Sequence, residues 1–165
     1  MSKAVMISIH PKWCAKICNG EKTIEARKTR PKLETPFKCY IYCTLPKYPH
    51  EDFIATDYPR PQFYGGGKVI GEFTCERIAL IAYDGGELSS TTNAAFSPAT
   101  CLTQSEIIAY IGDKGRCYGW HMSDLCIYDQ PKGLDEFTRL RETKFGSEPV
   151  TIKRPPQSWC YVEEM

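Results

Sequence analysis

No apolar run in the 165 residues approaches the roughly 20 needed to span a bilayer as a helix, so a membrane-spanning segment is not expected. The start, Met1 to Met6 followed by His10-Pro11-Lys12, has no long apolar stretch, which argues against a signal peptide. There is no internal repeat and no low-complexity tract, and solenoids and fibrous architectures are set aside with them. Charge of one sign is also lacking: 21 Lys and Arg meet 20 Asp and Glu, for a formal net of +1. A near-neutral chain is a poor general binder of polyanions. No Gly-Lys-Ser/Thr follows Gly65-Gly66-Gly67, so this is not a phosphate-binding P-loop. Scattered Ser, His and Asp residues do not amount to a triad.

What is present suits one packed domain, spanning 1–165, with an ordinary 42% hydrophobic and 25% charged residues. Nine cysteines in a chain without a secretion signal point to reduced thiols, a cytoplasmic setting and use as small buried hydrophobes. They do not suggest a metal. Cys39 and Cys43 on one strand would stand roughly 13 Å apart. Cys14 and Cys18, one helical turn apart, have no partner pair at zinc-finger spacing. No metal and no cofactor is expected. The mean charge hides an asymmetry: residues 1–38 carry nine cations against three Glu, a net of +6, and the rest a net of −5. That is a modest pointer to an anionic ligand, and ordinary solvated lysines explain it equally well.

Periodicity predicts a strand at 3–9, with Val5, Ile7 and Ile9 on one face, then a helix opened by Pro11 and closed by Asn19-Gly20. A second strand is expected at 23–28 and a third at 38–44, where Cys39, Ile41 and Cys43 alternate with Tyr40 and Tyr42. Residues 45–67, with four prolines and three glycines in a row, read as a long excursion rather than an element. Residues 68–82 form one strand bent near Gly71, or two. Residues 83–100 read as a second loop. Thr103-Gln104-Ser105-Glu106 is a capping box that starts a helix running to Gly112. A strand at 117–128, a helical turn at 134–140 and a terminal strand at 158–163 complete an α+β reading: a small mixed β-barrel with two or more short helices.

The densest chemistry lies in Gly20-Glu21-Lys22-Thr23-Ile24-Glu25-Ala26-Arg27-Lys28. Strand alternation puts Thr23, Glu25 and Arg27 on one face, and Lys22 sits at the turn that enters it. A cation, a carboxylate and a guanidinium together can clamp a phosphate, pair with a base edge, or move protons. From residue types alone, a self-satisfied Glu–Arg pair on a solvated strand face is the favoured reading of the same trio. Trp120 and Met122 face one way on their strand, His121 and Ser123 the other. Each aromatic is either a core residue or a stacking surface, a contribution of roughly 1–3 kcal/mol per base where exposed. Core packing is the stronger reading for Trp159, and a structurally satisfied imidazole for His121.

The run Pro11-x-Trp13-x-x-x-Ile17-x-x-Gly20-x-Lys22-x-x-Glu25-x-Arg27 resembles the signature of the ASCH (activating signal cointegrator homology) domain family of the PUA-like superfamily. Gly119-Trp120-His121-Met122-Ser123-Asp124-Leu125 and the 155–162 ending resemble strands of bacterial members. The resemblance implies a PUA-like barrel with a cleft beside the motif that binds RNA or a modified nucleoside. Trp13, Lys22, Glu25, Arg27, Trp120, His121 and Ser123 are the residues expected to line it. Some small bacterial members are amidohydrolases that deacetylate acetylated cytidine with Lys, Thr and Glu. The Lys matches Lys22, but Glu25 stands where their Thr does, and Ala95-Phe96-Ser97-Pro98-Ala99 offers no counterpart of their distant Glu. If the chain is a hydrolase, on an acylated base or on RNA, Lys22 and Glu25 are its catalytic residues. A third reading is a protein-interaction domain with a protein partner. The flanking Lys12, Lys16, Lys28, Arg30 and Lys32, with the segment from Tyr58 to Phe63, interleave cations and aromatics in a way that suits a short single strand.

Overall fold

The structure, a computed structural model, describes residues 2–45, 53–55, 62–91 and 96–165, with the backbone alone at 53–55 and 62–64. The elements in chain order are β1 (Lys3–Ile9), α1 (Pro11–Cys18), β2 (Ile24–Arg27), β3 (Phe37–Cys43), β4 (Phe53–Ala55), β5 (Gln62–Tyr64), β6 (Lys68–Asp84), β7 (Glu87–Ser90), α2 (Phe96–Thr100), α3 (Gln104–Ile111), β8 (Arg116–Lys132), β9 (Thr138–Thr143), β10 (Gly146–Thr151) and β11 (Trp159–Glu163). Nine strands form one sheet in the order β10-β9-β11-β1-β3-β6-β8-β2, with β7 paired to β6. Among the described residues only β1 and β3 run parallel, and the other pairings in the sheet are antiparallel. The α+β class is as expected, but the sheet does not close: β2 and β10 end it without pairing to each other.

Alternation along the central strands explains why the sheet is covered on both faces. Val5, Ile7 and Ile9 of β1 join Cys39, Ile41 and Cys43 of β3, Phe73, Trp120 and the inner face of α1 in one core. Ala4, Met6, Tyr40 and Tyr42 point the other way into a second core with Phe137, Cys160 and Val162. In a strand buried on both sides, both parities must be apolar, and β3 is such a strand. A third cluster joins Ala26 of β2 and Ile81 to Ile107 and Ile111 of α3. Helix α3 is thereby fixed against the strand that carries the motif.

Several expectations need correction. The 45–67 excursion contains the β4–β5 ladder, and the 83–100 loop contains β7 and α2. Residues 134–140 are a 3-10 turn at Leu134–Glu136 followed by β9, and β10 was not anticipated. Residues 68–84 are a single strand whose register against β8 shifts between Val69 and Gly71. The aromatic and basic segment at 58–61 lies outside the described residues.

Seven cysteines, Cys14, Cys18, Cys39, Cys43, Cys75, Cys117 and Cys160, are buried and free. Burial pushes the Cys18 and Cys75 thiols up to about 12, so both stay protonated at neutral pH. Among the described residues, no three His, Cys, Asp or Glu side chains meet in a way that could hold a metal ion, and no helix is long and apolar enough to cross a membrane.

Candidate functional site

Three local features deliver the motif to one place. Pro11 occupies the first turn of α1, where its missing N–H costs nothing. The helix turns out at Gly20, whose φ of +77° suits a residue without a side chain. The amides of Glu21 and Lys22 then both bond back to the Lys16 carbonyl. Thr23 bonds through its amide to the Ala99 carbonyl of α2, at 2.9 Å, and through its carbonyl to the Met122 amide of β8, at 3.0 Å. The chain enters β2 already held on two sides.

Lys22, Glu25 and Arg27 converge. The Lys22 ammonium lies 3.1 Å from Glu25 Oε2 and donates to the Thr100 carbonyl at 2.8 Å. Arg27 donates from Nε to Glu25 Oε1 at 3.0 Å, and its Nη2 is 2.9 Å from the same oxygen. The guanidinium also donates to the Ser8 carbonyl at 2.6 Å and to Ser158 Oγ at 3.2 Å. The side chains are only 3%, 9% and 13% exposed, so this is a buried network and not a surface pair. A buried charge must be paired and hydrogen-bonded to be tolerated, and each of these is.

The network opens on a cavity of about 420 Å³, within the ordinary range of small-molecule sites. Trp13 lines it, with the Lys22 ammonium 5.2 Å from the centre of its indole and the Lys12 ammonium 4.7 Å away. Tyr110 of α3 lines it too, with Lys28 5.2 Å from its ring. Burial pushes the Tyr110 phenol up, so it stays protonated through the neutral range. His10 and Thr44 contribute an imidazole and a hydroxyl, with Nδ1 3.2 Å from Oγ1. Glu106 lines the cavity as well, although one of its oxygens is taken by the Thr103 amide in the capping box.

Of the expected site residues, Trp13, Lys22, Glu25 and Arg27 line this cavity. The structure places Trp120, His121 and Ser123 elsewhere. Trp120 is fully buried in the first core, its ring 6.0 Å from those of Phe37 and Trp159. His121 is buried on β8 opposite Ile24 and Arg77, and its Nε2 has no partner among the described residues. Ser123 donates to the Thr74 carbonyl at 3.4 Å. These residues were expected because the 119–125 run resembles a family strand, and β2 does pair with Trp120 and His121 of that run. Trp120 stands opposite Glu25 and shares its face of the sheet, but its ring packs among Phe37, Trp159 and the rest of the first core instead of reaching the cavity. His10, Thr44 and Tyr110 were not anticipated. The capping box gave α3 its register, but nothing local says which strand α3 lies against.

The sequence matches no protein-family model and no curated protein. Solved structures are more informative. The ASCH protein from Zymomonas mobilis superposes with a TM-score of 0.56 at 18% identity, over 98% of this chain and 88% of that one. A tyrosine-to-phenylalanine variant of that protein gives 0.58 over 99% and 92%. A serine-to-alanine variant gives 0.57 over 98% and 89%. A β-rich chain that matches end to end at such low identity shares an arrangement of elements. The fold of this chain is therefore that of ASCH domain proteins.

Proposed function

We propose that the protein binds a nucleoside, free or as one unit of an RNA, in the cavity between α1, β2 and α3. The observation that carries this reading is the buried Lys22–Glu25–Arg27 network lying open to a cavity with aromatic walls. Two cations and two carboxylates line it, and these four charges cancel. That balance favours a neutral polar ring over a bare phosphate. Counting bonds among the described residues, Lys22 and Arg27 Nη1 each keep one N–H, and Glu25 Oε2 keeps a lone pair. A nucleobase offers the matching carbonyl and amine edges and a face for Trp13 or Tyr110.

Titration of nucleosides, followed by indole fluorescence and by calorimetry, tests this. Lys22→Ala leaves Glu25 paired to Arg27, so the fold survives, and affinity should fall at least roughly tenfold through the loss of one charge-assisted bond. Absence of binding at millimolar nucleoside, or equal binding by the variant, refutes it.

A second reading is hydrolysis of an acyl group on the bound base, favoured by the Thr44–His10 contact in the same cavity. Glu25 would take a proton from water while Lys22 and Arg27 hold the oxyanion. The C–N bond breaks as Glu25 passes that proton to the departing nitrogen, giving a carboxylic acid and a free base amine. Release of acetate from acetylated cytidine, abolished in both Lys22→Ala and Glu25→Gln, is the expected signature. Unchanged turnover in those variants sinks it.

A further inference from the structure

A second hollow, of about 400 Å³, is lined by Lys3, Arg30, Lys32, Glu142, Trp159 and Tyr161, together with Leu33. Three cations face one carboxylate there, and that carboxylate is already engaged by Lys3 at 2.7 Å. Arg30 and Lys32 are exposed, and neither lies within ion-pair distance of a carboxylate among the described residues. Trp159 and Tyr161 are half-buried and meet edge to face at 5.4 Å. Both are held in place: Trp159 donates through Nε1 to Thr29 Oγ1 at 2.9 Å, and Tyr161 Oη accepts from the Lys32 amide at 2.8 Å. Exposed cations beside anchored aromatics are the pattern of a single-strand nucleic-acid groove, where phosphates meet charge and bases meet rings.

This hollow is linked to the first cavity through Arg27, which lines that cavity and donates to Ser158, the residue before Trp159. The chain that leaves β2 at Arg27 passes Thr29 under Trp159 and reaches Arg30 and Lys32. The same stretch belongs to the 1–38 segment with its surplus of six positive charges. The two sites differ in character: the first is balanced in charge and suits a base, the second is basic and suits a phosphate.

We infer that the Arg30–Lys32–Trp159–Tyr161 hollow is a second nucleotide subsite, and that the ligand of the first cavity arrives as part of a single-stranded oligonucleotide running across Arg27 and Ser158. The inference rests on the nucleoside reading of the first cavity and adds the class of molecule that carries the nucleoside.

The test uses the full chain, labelled RNA and DNA hexamers read by fluorescence anisotropy, and a free nucleoside read by calorimetry. The hexamer should bind at least roughly tenfold tighter than the nucleoside, since one more base is stacked. Arg30→Ala combined with Lys32→Ala, both at exposed positions, should remove that advantage and leave the nucleoside affinity within about twofold. The slope of log affinity against log salt should shrink by about 0.7 for each cation lost. Trp159→Phe should weaken the hexamer without changing that slope. RNA and DNA side by side separate a site that reads the 2′-hydroxyl from one that accepts either strand, and both results support a nucleic-acid subsite. A hexamer that binds no tighter than the nucleoside, or binds the double variant equally well, overturns the inference and leaves the first cavity as proposed. Hexamer binding lost in the double variant, with no nucleoside binding at all, upholds this hollow and removes the first reading.

Discussion

Glu25 is the residue on which the site turns. It is the one anion between two cations that are themselves out of water. Glu25→Gln leaves Lys22 and Arg27 facing each other with no compensating charge, and removal of one partner from such a group costs about 3–5 kcal/mol. Urea unfolding should register a loss near the lower end, because the amide still accepts a hydrogen bond. A loss under about 1 kcal/mol would mean the network is better solvated than its burial implies. His121 makes a pH-dependent prediction. Burial, reinforced by Arg77, lowers its imidazole below the ordinary 6.5. The unfolded chain then takes up a proton before the folded one does, so this group's share of stability is intact above pH 6.5 and drains away as pH falls toward the depressed value. Denaturation midpoints at pH 7.5 and 5.5 should differ more for the native protein than for His121→Gln. Trp120 acts by packing: Trp120→Ala should cost about 3–5 kcal/mol, while Trp120→Phe should leave nucleoside affinity unchanged.

At the scale of elements, α3 matters because it carries Tyr110 to the cavity. Its start is fixed by a reciprocal pair of bonds, from the Glu106 amide to Thr103 Oγ1 at 3.2 Å and from the Thr103 amide to Glu106 Oε2 at 2.8 Å. Thr103→Ala should cost about 1 kcal/mol in stability and loosen the Tyr110 wall. Strand β6 is pressed against β8 at Gly71, where an added Cβ would collide with the Cys126 carbonyl oxygen. Gly71→Ala should therefore cost at least 1–3 kcal/mol, as overpacking does, seen as a lower melting temperature. How much was legible divides along the same lines. Helices α1 and α3 and strands β1, β3 and β11 were readable because apolar period, proline, capping box and glycine all agree locally. Strand β10, Gly-Ser-Glu-Pro-Val-Thr, was not: it is mostly exposed, lies at the end of the sheet and holds Pro149, which only an outer strand tolerates. Strand β7 is short and polar, so it lacks the alternation that marks strands. The ionic half of the site sits within six residues and could be read; the hydroxyl and imidazole come from the residues just after β3 and β1, the phenol from α3, and they meet only through tertiary packing.

For the molecule as a whole, the sheet is sealed on both faces by separate cores, so binding at the first cavity need not reorganise it. A nucleoside at 100 times its dissociation constant should then stabilise the protein by about 2.7 kcal/mol through mass action alone, measurable as a rise in unfolding midpoint that Lys22→Ala suppresses. The placement of the motif has one more consequence. Strand β2 is the last in the sheet, only four residues long. A terminal strand invites a neighbouring molecule to add to it, and short length with charged side chains is how such margins are made unattractive. Lys28, exposed at the end of that strand, serves this purpose whatever the cavity holds, so the concentration at which the protein stays monodisperse should fall when it is neutralised.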